Sequence, residues 1–382
     1  MSPRSVFGPL LLLAACGGAP EAPPPPPAHA ELEAFITAQM QVAGIAGLSA
    51  ALIVGDQVAW MKSFGYADLD TGRKVDDETP FLLASLSKTF IAMLGEQLEE
   101  EGKFRFSDPI DGPLAQTVRH PSHPELPITG LELVTHTSGI IDDFLALGGA
   151  TTNGDSDQTL REFTQRYAAV PGHFDGAPGQ RFDYSNAGVG FLGATLEGAA
   201  GASIAELSRR QIFEPIGMTD SGWFLRDMAV EQLAVPYSGT WEEGLKRDEH
   251  LGFGFFPATS LRSSIKDLSK YLLTFMRFGL TPEGQRVLPE ARARAMREPQ
   301  VPRQNKDQGI AWYYEDLAGK RWLGHTGSAV GASTIMMFLP EEQRGVIILT
   351  NSDLYVRSRL GFPAGRDAFL EIFGRIAAEA VP

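Results

Sequence analysis

Hydrophobic positions along the chain mark short strands at both ends and helices between them. From Glu31 to Ala43 apolar residues recur at a helical period, and Gly44 stands where such a helix would stop. Leu48 to Val54 and Val58 to Phe64 are β-rich runs around the turn pair Gly55-Asp56, which predicts a hairpin. A second helix is predicted through Phe90, Ile91, Met93, Leu94 and Leu98, ending near Gly102. The stretch from Phe106 to Glu249 is rich in turns and short helical patterns, among them Leu160 to Tyr167, Gly188 to Ala200 and Ile204 to Phe213. Strands return at Thr334 to Leu339 and Val346 to Leu349, flanking a turn at Pro340 to Gly345. An amphipathic helix from about Arg366 to Ala380 follows. This order predicts an α/β (α+β) fold whose sheet is completed by both termini. The α/β part covers 31–105 and 250–382, and a helical part covers 106–249.

Ahead of this body, Arg4 precedes an apolar run from Val6 to Ala15 broken only by Gly8 and Pro9. That run is too short to span a bilayer, which takes ~20 residues. Its end, Leu13-Ala14-Ala15-Cys16-Gly17, resembles a bacterial lipoprotein signal, in which the cysteine is acylated and becomes the new N-terminus. The expectation is a signal peptide over 1–15 and lipidation at Cys16. An ordinary secretory signal with an incidental cysteine is the alternative. Residues 16–30, with Pro20 and Pro23 to Pro27, form a tether that favours stiff polyproline II. The expected location is the bacterial cell envelope, lipid-anchored and facing the periplasm. Gly17 after the cysteine, in place of an aspartate, favours the outer membrane.

Composition narrows the function. The chain has 382 residues, 43% of them hydrophobic, which is enough for a sizeable core and excludes global disorder. Its net charge of −14 makes it a poor partner for nucleic acid or an anionic membrane surface. Cys16 is the only cysteine, which excludes intrachain disulfides and cysteine-based zinc or iron–sulfur sites. His120 and His123 stand three apart, but Pro121 and Pro124 argue against a helical metal face. No metal and no cofactor are expected.

Three short constellations carry chemistry. Ser85-Leu86-Ser87-Lys88 opens the second predicted helix, where residues three apart share a face, so the Ser85 hydroxyl and the Lys88 amine can meet. Serine is a weak nucleophile that needs a base, and a desolvated lysine can serve. Tyr184-Ser185-Asn186 offers a phenol for proton transfer and an amide for substrate. His325-Thr326-Gly327-Ser328 lies just ahead of the strand Thr334 to Leu339, whose edge can pair with an extended substrate. There a glycine would let substrate approach closely. Each motif alone also fits a plainer role: a solvated helix face, a capped loop, a loop histidine before a strand.

Taken together, in this order and with these flanks, the three motifs resemble the serine β-lactamase and penicillin-binding protein superfamily. The match is to its class C β-lactamase-like branch, which also holds D-Ala-D-Ala carboxypeptidases, D-aminopeptidases and esterases. Leu133-Val134-Thr135-His136-Thr137-Ser138-Gly139, Ile212 to Thr219, Ser260 to Ser263 and Leu349 to Ser352 also look like that family. The resemblance covers Glu31 to the C-terminus. It implies an antiparallel sheet flanked by helices plus a mainly helical domain. It also implies a serine hydrolase working through an acyl-enzyme on an amide or ester carbonyl. The foremost substrates are a D-amino-acid peptide or a small ester. A class C-like β-lactamase and a catalytically inactive penicillin-binding scaffold are the alternatives.

By the same resemblance, Ser85 is the nucleophile. Lys88 and Tyr184 form the proton-transfer pair, with Tyr184 the base and Lys88 lowering its pKa. Asn186, His325, Thr326 and Gly327 bind substrate, and the backbone N–H groups of Ser85 and Ser328 form the oxyanion hole. The expected partner is a small-molecule or short peptide substrate, besides the lipid anchor in the membrane. His325 departs from the lysine of class C β-lactamases, so a fixed charge for a β-lactam carboxylate is lost unless the imidazole is protonated. The class A Glu-x-x-x-Asn element is missing, since Val301 and Ile347 precede Asn305 and Asn351 by four. Gly47-Leu48-Ser49-Ala50-Ala51 reads as core strand rather than a nucleophile elbow. His136 is expected in the core, Asp142-Asp143 at a helix cap or in solvent, and Gly148 to Asp157 as a mobile rim loop or a family-variable insertion.

Overall fold

The structure, a computed structural model, describes residues 29–380; Cys16, the leader and nearly all of the tether lie outside the described residues. Its centre is a seven-stranded antiparallel sheet. In chain order the strands are β1 (Gly47–Val54), β2 (Gln57–Asp68), β3 (Arg73–Lys74), β4 (Tyr313–Leu317), β5 (Lys320–Ala329), β6 (Ala332–Leu339) and β7 (Arg344–Thr350). The spatial order is β4-β5-β6-β7-β1-β2-β3, so an N-terminal hairpin is zipped onto a C-terminal meander. The seam is the β1–β7 pair, in register from Leu48 with Thr350 to Val54 with Arg344. The sheet is thus completed by both ends of the chain, as the hydrophobic pattern predicts.

The five principal helices are α1 (Ala30–Ala43), α2 (Ser87–Glu100), α3 (Asn186–Ala200), α4 (Ile265–Met276) and α5 (Ala364–Ala377). α1 ends where predicted, with Gly44 in the left-handed conformation (φ 70°) that glycine adopts without a Cβ penalty. Helices α1 and α5 cover one face of the sheet, packing Leu32, Ile36, Phe369 and Phe373 on Leu48, Leu52, Ile335 and Ile348. The other face buries Ala51, Ile53, Met336 and Ile347 against α2 and α4, in a cluster that runs on into α3 and the short helices. Strands covered on both faces read as continuous apolar runs, which is why β6 (Ala-Ser-Thr-Ile-Met-Met-Phe-Leu) shows no polar alternation.

Three local expectations change. His325 to Ser328 do not lie in a loop ahead of a strand; they are inside β5, paired with β6 from Leu323 with Phe338 to Ala329 with Ala332. Two glycines and a histidine dilute the β signal there, and non-local pairing supplies what propensity lacks. Gly148 to Asp157 is not a loose loop. Thr151–Asn153 pairs with Leu251–Phe253, and Asp155 accepts the Leu225 and Arg226 N–H groups at 2.7 and 3.0 Å. The Asp142-Asp143 pair divides: Asp143 caps the helix Phe144–Gly149, whereas Asp142 turns inward.

Candidate active site

Ser85 sits on a tight 3₁₀ turn, Ala84–Leu86, that runs directly into α2. The turn is strained: Ala84 has φ 50°, a left-handed value that costs a non-glycine residue ~1–2 kcal/mol. Surrounding bonds hold it. Leu83 N–H donates to the Leu261 carbonyl at 2.8 Å, and the Thr334 hydroxyl donates to the Leu83 carbonyl at 2.8 Å. Gly327 makes room for it, because a Cβ there would come within 2.4 Å of the Leu83 carbonyl oxygen and 2.1 Å of Thr334 Oγ1. The glycine of the third motif therefore admits the serine-bearing turn, where the sequence suggested close approach by substrate.

Three residues past Ser85, in the first turn of α2, Lys88 is 1% exposed. Its Nζ lies 2.9 Å from Ser85 Oγ, 2.8 Å from Asn186 Oδ1 and 2.9 Å from the Ala258 carbonyl oxygen. Burial pulls the amine's pKa down to about 7, against the nearby Asp142 charge, which favours the ammonium. Near neutral pH a large fraction is therefore uncharged. A neutral amine has two N–H groups for the Asn186 and Ala258 oxygens, which can only accept. Its lone pair is then left for the Ser85 O–H.

Tyr184 closes the other side. Its ring face opens to the cavity, with 37% of the residue exposed, and Lys88 Nζ is 5.0 Å from the ring centroid. Dense surroundings raise the phenol above its ordinary pKa, with smaller opposing pulls from the Ser85 hydroxyl and Arg359. Burial thus moves the two groups in opposite directions, the Lys88 amine down and the Tyr184 phenol up. It therefore keeps the proton on the Tyr184 phenol near neutral pH, while the Lys88 amine, titrating near 7, can release its own. Behind the ring, His136 is buried and packs against Tyr184 with the rings tilted by 34° and 4.3 Å between centroids. Its Nδ1 accepts the Ser185 N–H at 3.2 Å. Burial first, with smaller contributions from Lys88 and His325 when either is protonated, lowers its pKa well below the ordinary imidazole value.

β5 forms the opposite wall. Pairing with β4 ends at Tyr313 and Gly324, so the edge from His325 onward is open on that side. Thr326 N–H points there and meets the Tyr313 hydroxyl at 3.1 Å, while Thr326 Oγ1 lies 2.7 Å from the same hydroxyl. Strand N–H groups alternate in direction, so Ser328 N–H points to the same open edge. His325 Nδ1 is 2.6 Å from the Thr326 carbonyl, which can only accept, so Nδ1 carries the hydrogen and Nε2 the lone pair. Burial, with Lys88 second, lowers the His325 pKa to about 3. This imidazole supplies no fixed positive charge.

These walls enclose a cavity of about 700 Å³ lined by Ser85, Tyr184, Asn186, His325, Thr326 and Ser328, the three motifs brought together. Asp142 and Tyr313 also line it, and sequence reasoning missed both. Asp142 follows the His136 to Gly139 stretch, and nothing in the sequence ties it to residues 43 to 45 positions on. Tyr313 lies in an edge strand that no pattern singled out. Among the described residues no group of three or more His, Cys, Asp or Glu side chains is arranged to hold a metal ion, and no helix is long and apolar enough to cross a membrane.

Comparison with known proteins agrees with this architecture. The chain is 26% identical over 317 residues to penicillin-binding protein 4* of Bacillus subtilis, covering 78% of this chain and 66% of that protein. It is 29% identical over 219 residues to the esterase EstB of Burkholderia gladioli, covering 54% of each. The octameric penicillin-binding protein homologue from Pyrococcus abyssi superposes with a TM-score of 0.72 at 26% identity, covering 87% of this chain and 78% of that one. A family model described as beta-lactamase matches residues 32–367, which covers all three motifs, and the chain belongs to that family.

Proposed function

We propose that this protein is a serine hydrolase that forms an acyl-enzyme at Ser85. Its substrate is a short D-amino-acid peptide or a small ester. The observation that carries the reading is the Lys88 amine, fully buried and aimed at the Ser85 hydroxyl from 2.9 Å. The neutral amine takes the Ser85 proton as Oγ attacks the carbonyl carbon. The resulting oxyanion is received by the N–H groups of Ser85 and Ser328, where losing one donor typically costs ~100–1,000-fold in rate. The ammonium then returns the proton to the leaving nitrogen or oxygen, with the protonated Tyr184 phenol as relay. Water repeats the sequence in reverse to free the enzyme. Asn186, Thr326 and the open edge of β5 hold the substrate.

A β-lactamase activity is the second reading. The neutral His325 weighs against it, because a β-lactam carboxylate would meet no fixed charge at that position. The test is intact-protein mass spectrometry across D-peptides, p-nitrophenyl esters and β-lactams. The expected result is an acyl adduct with esters or D-peptides that Ser85→Ala abolishes, and slow nitrocefin turnover. Equal adducts in Ser85→Ala would overturn the reading, and fast nitrocefin turnover would favour the second one. We also propose the lipid anchor at Cys16 and an envelope location, supported by the leader sequence alone. Cys16→Ser should move the protein from membranes to the soluble envelope fraction, and unchanged fractionation would refute the anchor.

A further inference from the structure

Asp142 stands behind the catalytic groups, and no step proposed above uses it. Its carboxylate accepts from Asn186 Nδ2 at 2.7 Å, from the Ala187 N–H at 2.9 Å and from the Ser185 hydroxyl at 3.4 Å. Three consecutive residues at the start of α3 are thus tied to one side chain. A carboxylate can only accept, so the edge of the Asn186 amide turned towards it must be the NH₂. Oδ1 is then the edge turned towards Lys88, where it receives an N–H at 2.8 Å. Turned by half a rotation, the amide would set its oxygen against the carboxylate, losing that bond, and its NH₂ against the amine, where it could bond only the lone pair that faces Ser85. With Oδ1 in place, Asn186 and the Ala258 carbonyl take both N–H groups of the neutral amine.

We propose that Asp142 is a positioning residue: it fixes the orientation of the Asn186 amide and, through it, the direction of the Lys88 lone pair onto Ser85. This rests on the reading that Lys88 accepts the Ser85 proton. Asp142 is also the anion acting on that amine. Of the other groups around the amine, His136 and His325 are held neutral, Tyr184 keeps its phenol proton, and the Arg359 charge is felt at Tyr184.

The test is the pH profile of kcat/KM for p-nitrophenyl acetate, using the full chain and its Asp142→Asn, Asp142→Glu and Ser85→Ala variants. Asp142→Asn keeps the size but cannot accept from both the Asn186 amide and Ala187 without turning its own NH₂ on one of them. We expect kcat/KM to fall on the order of 100-fold, the scale of a misplaced catalytic group. The acid limb should also move to lower pH, because losing a neighbouring anion disfavours the ammonium. A folded Asp142→Asn protein that keeps wild-type kcat/KM on its pH plateau, or whose limb does not move, overturns the proposal. If that variant does not fold, Asp142→Glu keeps the charge and displaces it by one methylene. A lower kcat with the limb in place then supports the proposal, and wild-type kcat overturns it. Turnover surviving in Ser85→Ala would instead sink the acyl-enzyme reading itself, independently of either Asp142 variant.

Discussion

The two faces of the central sheet are built from the same strands and do opposite work. Under α1 and α5 the face is closed and apolar, with Trp322 against Phe373 at 4.9 Å between centroids and Ile335, Met337, Val346 and Ile348 beneath. Under α2 and α4 the packing is just as dense, yet it takes in Lys88, Ser87, Thr89 and Asp267 as buried polar groups. The first face holds the ends of the chain together. The second spends some of that stability on holding a desolvated amine beside a hydroxyl. Burial costs an isolated charge heavily, and the depressed Lys88 pKa expresses that cost.

Substitutions on each face should separate the two. Ser85→Ala should abolish ester turnover by on the order of 10⁶-fold, the scale for removing the nucleophile of a serine hydrolase, with the thermal midpoint kept; steady-state kinetics and calorimetry read both. Gly327→Ala comes next. Its methyl group would meet the Leu83 carbonyl and push the serine turn off β5, and a loss of about 100-fold in kcat is expected from a displacement near 1 Å. On the other face, Phe373→Ala should cost about 3–5 kcal/mol of stability in denaturant unfolding, while turnover per folded molecule stays the same. A large kcat loss there would show that the two faces are not independent. The smallest effect belongs to Tyr313→Phe, which leaves the Thr326 N–H and hydroxyl without their shared partner. About 1 kcal/mol is expected, or roughly fivefold in kcat/KM.

The same division governs how much could be read from the sequence. Ser85 and Lys88 meet because three residues of helix bring them together, so their pairing was legible in four letters. The ends of the chain were legible because β1, β2, β6, β7 and the terminal helices carry strong local patterns. β5 was not, since Gly324 and Gly327 weaken it and its partners are brought by the fold. Asp143 followed a local capping rule, whereas its neighbour Asp142 acts on residues 43 to 45 positions away in α3 and its cap. The proton affinities of Lys88, Tyr184 and His325 depend on burial, and burial exists only once α2, α3 and β5 have converged. That is why the sequence motifs suggest a Tyr184 phenol lowered by Lys88, whereas burial in the folded site raises the phenol and lowers the amine.

Protonation of the buried amine offers the most direct test of the whole account. Folded protein labelled with ¹³C at the lysine ε-carbon, in a Ser85→Ala background to remove turnover, can be titrated by NMR, with Lys88 assigned from Lys88→Met. The account predicts one lysine signal with a midpoint near pH 7. A midpoint for Lys88 near the ordinary lysine value, above about 10, would mean that the amine stays charged beside Ser85 and cannot take its proton.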